Sequence, residues 1–149
     1  MGAGQAVLVV DSFEDGATTL ALVLGLYGHA VRVAADAGAA LAAAAAARPE
    51  VIIVDPWRVA ADPAGLAGRL AAGAGGCPLL VALTGYVRPG DRGRVPGFDH
   101  TLLKPCDPEA LARLIAGRVR PAPPAGSTPP AGAQDLVPAD GGFGTAGAL

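Results

Sequence analysis

The sequence predicts a doubly wound α/β domain built on a five-stranded parallel sheet, and three observations predict it. Five short runs rich in β-branched residues are interleaved with helix-forming stretches, the order that right-handed crossovers turn into a parallel sheet. Several of those runs are continuously apolar, as strands covered on both faces must be. The residues at the ends of four runs are polar: Asp11, Asp55, Thr84 and Lys104.

The elements follow in order. Ala6–Val10 is the first strand, and the stretch Glu14–Leu26 after it is read as a helix. Ala30–Ala34 is the second strand; Ala37–Ala47 is nearly all alanine, the strongest helix former. Val51–Val54 forms the third strand, Ala64–Ala72 a helix, Leu79–Leu83 the fourth strand and Thr101–Leu103 the fifth. The last helix, Asp107–Gly117, has the clearest start: Asp107 as N-cap, Pro108 at the first helical position, and Glu109 near the positive helix end. One stretch resists the pattern. Residues 88–97 should hold the fourth helix of the fold, yet they include Pro89, Pro96, Gly90, Gly93 and Gly97. Each proline inside a helix costs ~3 kcal/mol and each glycine ~1 kcal/mol relative to alanine, so that helix is expected to be short or frayed, at most one turn.

Composition bounds the class. A chain of 149 residues suits one domain, large enough to fold without a disulfide or metal staple. Apolar residues make up 52%, much of it alanine, and no run of large apolar side chains is long enough to span a membrane. The N-terminus has no basic region leading into an apolar core, so no signal peptide is expected. Cys77 and Cys106 make no disulfide framework, and reduced thiols in the cytoplasm are expected. A net charge of −2 provides no basic face for nucleic acid. Residues 1–5 are read as an N-terminal extension and residues 6–119 as the domain. Residues 120–149, rich in Pro, Ala and Gly, are read as a disordered tail, too poor in large apolar side chains to offset the entropy of ordering.

In folds of this class ligands gather beyond the carboxyl ends of the strands. Two carboxylates, a hydroxyl and an ammonium are expected to meet there: Asp11, Asp55, Thr84 and Lys104. Lys104 is the only lysine among 11 basic residues; every other one is arginine. Ammonium is a compact point charge where guanidinium is a wide planar fork, so a lone lysine suggests a site that needs the smaller cation. No Gly-rich phosphate loop follows any strand, which argues against a nucleotide-binding enzyme. Ser12 has no histidine base in any recognisable motif, which argues against a serine hydrolase.

Over residues 6–119 the chain resembles the receiver domain of two-component response regulators, a flavodoxin-like fold. Ala6-Val7-Leu8-Val9-Val10-Asp11 looks like the family's first strand, and Glu50-Val51-Ile52-Ile53-Val54-Asp55 like the strand that ends in its phosphoacceptor. Leu83-Thr84-Gly85-Tyr86 resembles the switch segment, and Leu103-Lys104-Pro105 the end of the fifth strand, where the resemblance implies a cis peptide bond. It further implies that Asp55 takes a phosphoryl group from a histidine kinase or phosphotransfer protein, with Thr84 and Lys104 binding phosphoryl oxygens. Mg²⁺ is implied as cofactor, held by Asp11, Asp55 and the Trp57 backbone carbonyl. Such a domain is a signalling switch, transferring phosphate only onto its own aspartate, and its output is expected to pass through an unidentified partner, with no direct contact to nucleic acid or membrane.

The departures from the family pattern are specific. Two adjacent acids normally follow the first strand; here the second is Ser12, a weak or lost metal ligand and the mark of a degenerate acidic pocket. Thr101 stands at the switch position that is often aromatic. Trp57 and Tyr86 flank the expected phosphorylation site, and an exposed indole at Trp57 would shield the phosphoryl group, meet a partner or pack on the loop. Arg88, Arg92 and Arg94 are read as a solvated loop, and Cys106 as a small buried hydrophobe. The alternative is a pseudo-receiver, a protein-interaction module with weak or no phosphorylation.

Overall fold

The computed structural model describes residues 4–117; residues 1–3 and the expected tail at 120–149 lie outside the described residues. Strand β1 (Ala6–Val10) is followed by α1 (Glu14–Leu26), β2 (Ala30–Ala34), α2 (Ala37–Ala47), β3 (Val51–Val54), α3 (Pro56–Val59), α4 (Pro63–Gly73), β4 (Leu79–Thr84), β5 (His100–Leu103) and α5 (Pro108–Ala116). The five strands form one sheet in the order β2-β1-β3-β4-β5, and every neighbouring pair is parallel. The expected doubly wound α/β fold is therefore present. None of the described helices is long and apolar enough to cross a membrane.

Side chains alternate across a strand, so one apolar run feeds two cores. Val7, Val9, Val51, Ile53, Val81 and Leu83 pack on α1 and α5 through Ala17, Leu24, Leu111 and Ile115. Leu8, Val10, Ile52, Val54 and Leu80 face the other way, against Ala40 and Ala44 of α2 and Leu66 and Leu70 of α4. The middle strand β3 is buried throughout, whereas the edge strands β2 and β5 are partly exposed.

The helix starts are chemically marked. Asp36 accepts the Ala39 N–H at 2.7 Å, Asp62 the Gly65 N–H at 3.1 Å and Asp107 the Glu109 N–H at 3.0 Å, each satisfying an orphan donor of a first turn. One short helix was not expected from the sequence. Proline favours extended backbone in the residue before it, and Pro56 also occupies the first position of α3, with Asp55 as its extended N-cap.

No helix forms between β4 and β5, in keeping with the proline and glycine content of that stretch. The loop is pinned nonetheless. Val95 is buried, and its N–H donates to Thr101 Oγ1 at 2.9 Å, so Thr101 holds the loop to β5. Gly97, at φ +94°, lies so close to α4 that a Cβ there would come within 2.8 Å of the Ala64 Cα.

Candidate functional site

Four of the five strands deliver one group each to the carboxyl edge. Asp11 follows β1, Asp55 follows β3, Thr84 ends β4 and Lys104 follows β5. Parallel pairing puts Val10 beside Val54, so Asp11 and Asp55 leave the sheet level with each other, and it puts Thr84 beside Leu103, the residue before Lys104. The Lys104 N–H donates to the Thr84 carbonyl at 2.8 Å, and the Lys104–Pro105 bond is cis.

Lys104 joins the two carboxylates. Its Nζ donates to Asp11 Oδ2 at 2.9 Å and to Asp55 Oδ2 at 2.8 Å. Asp11 and Asp55 are 6% and 4% exposed, while the Lys104 side chain is 35% exposed, so the ammonium reaches inward from a wetter position. Burial pushes the Asp55 carboxyl above the ordinary value of 3.8; the Lys104 bond and charge pull it down without cancelling that effect. Burial alone would lower the Lys104 ammonium. Its bonds to Asp55 and Asp11 outweigh that and hold it above its ordinary value of 10.5.

Arg58 was not singled out by sequence reasoning, and it belongs to the site. Helix α3 sets it three residues beyond Asp55, with its Nε 3.3 Å from Asp11 Oδ1 and 4.0 Å from Asp55 Oδ2. Its guanidinium carbon stands 5.7 Å from the centre of the Phe13 ring. The Phe13 N–H also donates to Asp11 Oδ1, at 2.9 Å, so both Asp11 oxygens are engaged. The trace of it in the sequence is its place three residues after Asp55, which becomes an i,i+3 relation only once α3 forms.

Thr84 is buried, but its hydroxyl bonds the loop that follows it. It donates to the Tyr86 carbonyl at 3.0 Å and accepts the Tyr86 N–H at 3.2 Å. Trp57 is half-buried instead of exposed, because the Arg88 guanidinium lies 4.0 Å from the centre of its ring. A planar cation over an indole face is attractive electrostatically and covers apolar area. That contact favours loop packing among the three roles open to Trp57, and it gives Arg88 of the basic loop a partner. Tyr86 remains exposed.

Two convergent carboxylates are hard anionic donors of the kind a divalent cation such as Mg²⁺ takes, so Asp11 and Asp55 fit the implied ion. The set is small: among the described residues no three or more His, Cys, Asp or Glu are grouped to hold a metal, and Ser12 is exposed. Asp11, Asp55 and Lys104 line a cavity of about 660 Å³ that is also walled by Val9, Leu20, Val23, Ile53 and Leu111. Cys106 lines it, and burial raises its thiol above the ordinary value, which suits a hydrophobe better than a nucleophile.

No protein-family profile matches the sequence, and no curated protein matches it. Solved structures do. A CheY-like response regulator receiver domain protein from Methanospirillum hungatei matches over 76% of this chain and 91% of its own, with 22% identity and a TM-score of 0.66, a likeness of fold. A response regulator from Burkholderia pseudomallei, with a phosphorylated aspartic acid, a calcium ion and citrate, matches at 31% identity and a TM-score of 0.63, over 75% of this chain and 65% of its own. The receiver domain of a sensor histidine kinase from Pseudomonas aeruginosa, with magnesium coordinated in its active site cleft, matches at 26% identity and a TM-score of 0.64, over 76% of this chain and 95% of its own.

Proposed function

We propose that this chain, which has the receiver fold of two-component response regulators, accepts a phosphoryl group from a histidine kinase or phosphotransfer protein onto Asp55. One observation carries the reading: a buried carboxylate at the end of the central strand, with Lys104 Nζ on its Oδ2 at 2.8 Å. That bond leaves the other oxygen, Oδ1, outside it as the nucleophile. Oδ1 attacks phosphorus in line with the leaving group, and the ammonium is placed to follow the charge onto the phosphoryl oxygens. Thr84 lies on the next strand, and its hydroxyl would have to release Tyr86 to bond a phosphoryl oxygen. Asp11, Asp55 and the Trp57 backbone carbonyl are the groups that would hold Mg²⁺, with Ser12 contributing weakly or not at all. When bound, such an ion offsets charge on the transferring group. The reaction is a single transfer onto the chain's own side chain, the logic of a switch and not of an enzyme with a diffusible substrate.

The pseudo-receiver reading also has an observation in its favour. Both carboxylates are already paired with side-chain cations, and the face between β4 and β5 lacks a helix. Incubation with acetyl phosphate and Mg²⁺, followed by intact mass measurement, separates the two. Phosphoacceptor function predicts one added phosphate in the wild type and none in Asp55→Asn. No addition in either chain supports the pseudo-receiver.

A further inference from the structure

We propose that Arg58 is a tethered cation of the acidic pocket, supplying at Asp11 the charge a divalent ion would otherwise supply. Phosphoryl transfer to Asp55 then proceeds without added metal, and Mg²⁺ binds weakly because it must displace Arg58. The transfer itself rests on the phosphoacceptor reading above.

Two cations divide the two acids between them. Lys104 takes Oδ2 of both Asp11 and Asp55, and Arg58 takes Oδ1 of Asp11 while standing 4.0 Å from Asp55 Oδ2. Two negative and two positive side chains meet, so the cluster is neutral with nothing bound. A hard divalent cation gains most where several anionic oxygens face it unshared, and here neither oxygen of Asp11 does. The position of Arg58 is held by more than the ion pair: α3 begins at Pro56, directly after Asp55, and the Phe13 ring lies beside the guanidinium. The side chain is 50% exposed, so it can turn from Asp11 toward an incoming phosphoryl oxygen without unfolding anything. Guanidinium is suited to that group, because its planar fork matches phosphate oxygens. With acetyl phosphate as donor, the Asp55 Oδ1–phosphorus bond forms as the phosphorus–acetate oxygen bond breaks. Acetate leaves with the electron pair, and no proton or electron is left unaccounted for.

The experiment uses the full chain as wild type, Arg58→Gln and Arg58→Lys, with acetyl phosphate in Mg²⁺ or in a chelator, read by intact mass. Calorimetric titration with Mg²⁺ alone accompanies it. Wild type should keep its rate in chelator to within about threefold, whereas Arg58→Gln should lose roughly tenfold and regain it with Mg²⁺, as expected when one half-exposed charge is deleted. Arg58→Lys should retain most of the metal-independent rate. Arg58→Gln should also bind Mg²⁺ roughly tenfold more tightly, since one competing cation has gone. A wild type that depends on Mg²⁺ as strongly as Arg58→Gln overturns the proposal while leaving Asp55 as acceptor. If no chain is phosphorylated in either condition, the phosphoacceptor reading fails and calorimetry decides for Arg58: tighter Mg²⁺ binding in Arg58→Gln supports its place as the resident cation, and equal affinity overturns it.

Discussion

Replacing Lys104 by methionine tests the electrostatics of the pocket without reference to any partner. The ammonium is shared by two carboxylates that are almost fully buried, at 2.8 and 2.9 Å. Removing one partner of a buried ion pair costs ~3–5 kcal/mol, because a charge is left uncompensated. Lys104 is a third exposed and Arg58 remains nearby, so solvent screening reduces the expected loss to about 2 kcal/mol. In a domain of this size that lowers the melting temperature by about 8 °C. The sign of the pH dependence is fixed by Asp55. Its folded carboxyl already lies above 3.8 because of burial, and Lys104 is what pulls it down; without Lys104 it rises further. The folded variant then holds a proton that the unfolded chain has released, so its stability is lost as pH rises through that raised value and recovered on acidification. Lys104 itself, raised above 10.5 in the fold, contributes fully at neutral pH and loses its contribution only as pH rises through its folded value. Thermal melts of wild type and Lys104→Met at pH 7 and pH 5 should show a deficit that shrinks at pH 5. Equal melting temperatures at pH 7, or a deficit that widens on acidification, would refute the reasoning. Lys104→Arg keeps the charge and should keep the fold, yet phosphorylate more slowly, because a planar fork does not fit a site shaped around a point charge.

Further outcomes follow from the same geometry. Ser12→Asp restores an anionic oxygen beside Asp11 and should tighten Mg²⁺ binding severalfold in a calorimetric titration; an unchanged affinity would mean the ion does not use this position. Gly97→Ala forces a side chain into positive φ and against Ala64, and should cost roughly 2 kcal/mol in denaturant unfolding. Trp57→Ala combined with Tyr86→Ala should shorten the lifetime of the phosphorylated form, by opening the path of the attacking water. A lifetime equal to that of the wild type would assign Trp57 to packing under Arg88 alone.

Much of the fold was legible because local signals agreed with one another. The strands at Ala6–Val10, Ala30–Ala34 and Val51–Val54 and the helices at Glu14–Leu26 and Ala37–Ala47 have the bounds that apolar runs and alanine content imply. The lack of a helix between β4 and β5 was legible from proline and glycine. The convergence of Asp11, Asp55 and Lys104 was legible from topology, since parallel strands end on one edge. Three features were not. Helix α3 was hidden because proline signals both an extended predecessor and a helix start, and only the chain's path after Asp55 decides between them. Trp57 looked exposed because its cover, Arg88, is 31 residues away in a loop that no periodicity describes. Arg58 looked like one more arginine until α3 turned it toward Asp11. Thr84 ends β4, but its bonds to Tyr86 depend on loop geometry that a sequence pattern does not carry.

The central claim is that Asp55 is the phosphoacceptor, and locating the phosphoryl group tests it most directly. The full chain would be treated with acetyl phosphate, reduced with borohydride to convert an aspartyl phosphate to homoserine, digested and sequenced by tandem mass spectrometry. Homoserine is expected at position 55, with Asp11, Ser12 and Thr84 unmodified. Modification at Asp11 or at either hydroxyl with Asp55 intact, or no modification anywhere, would contradict it.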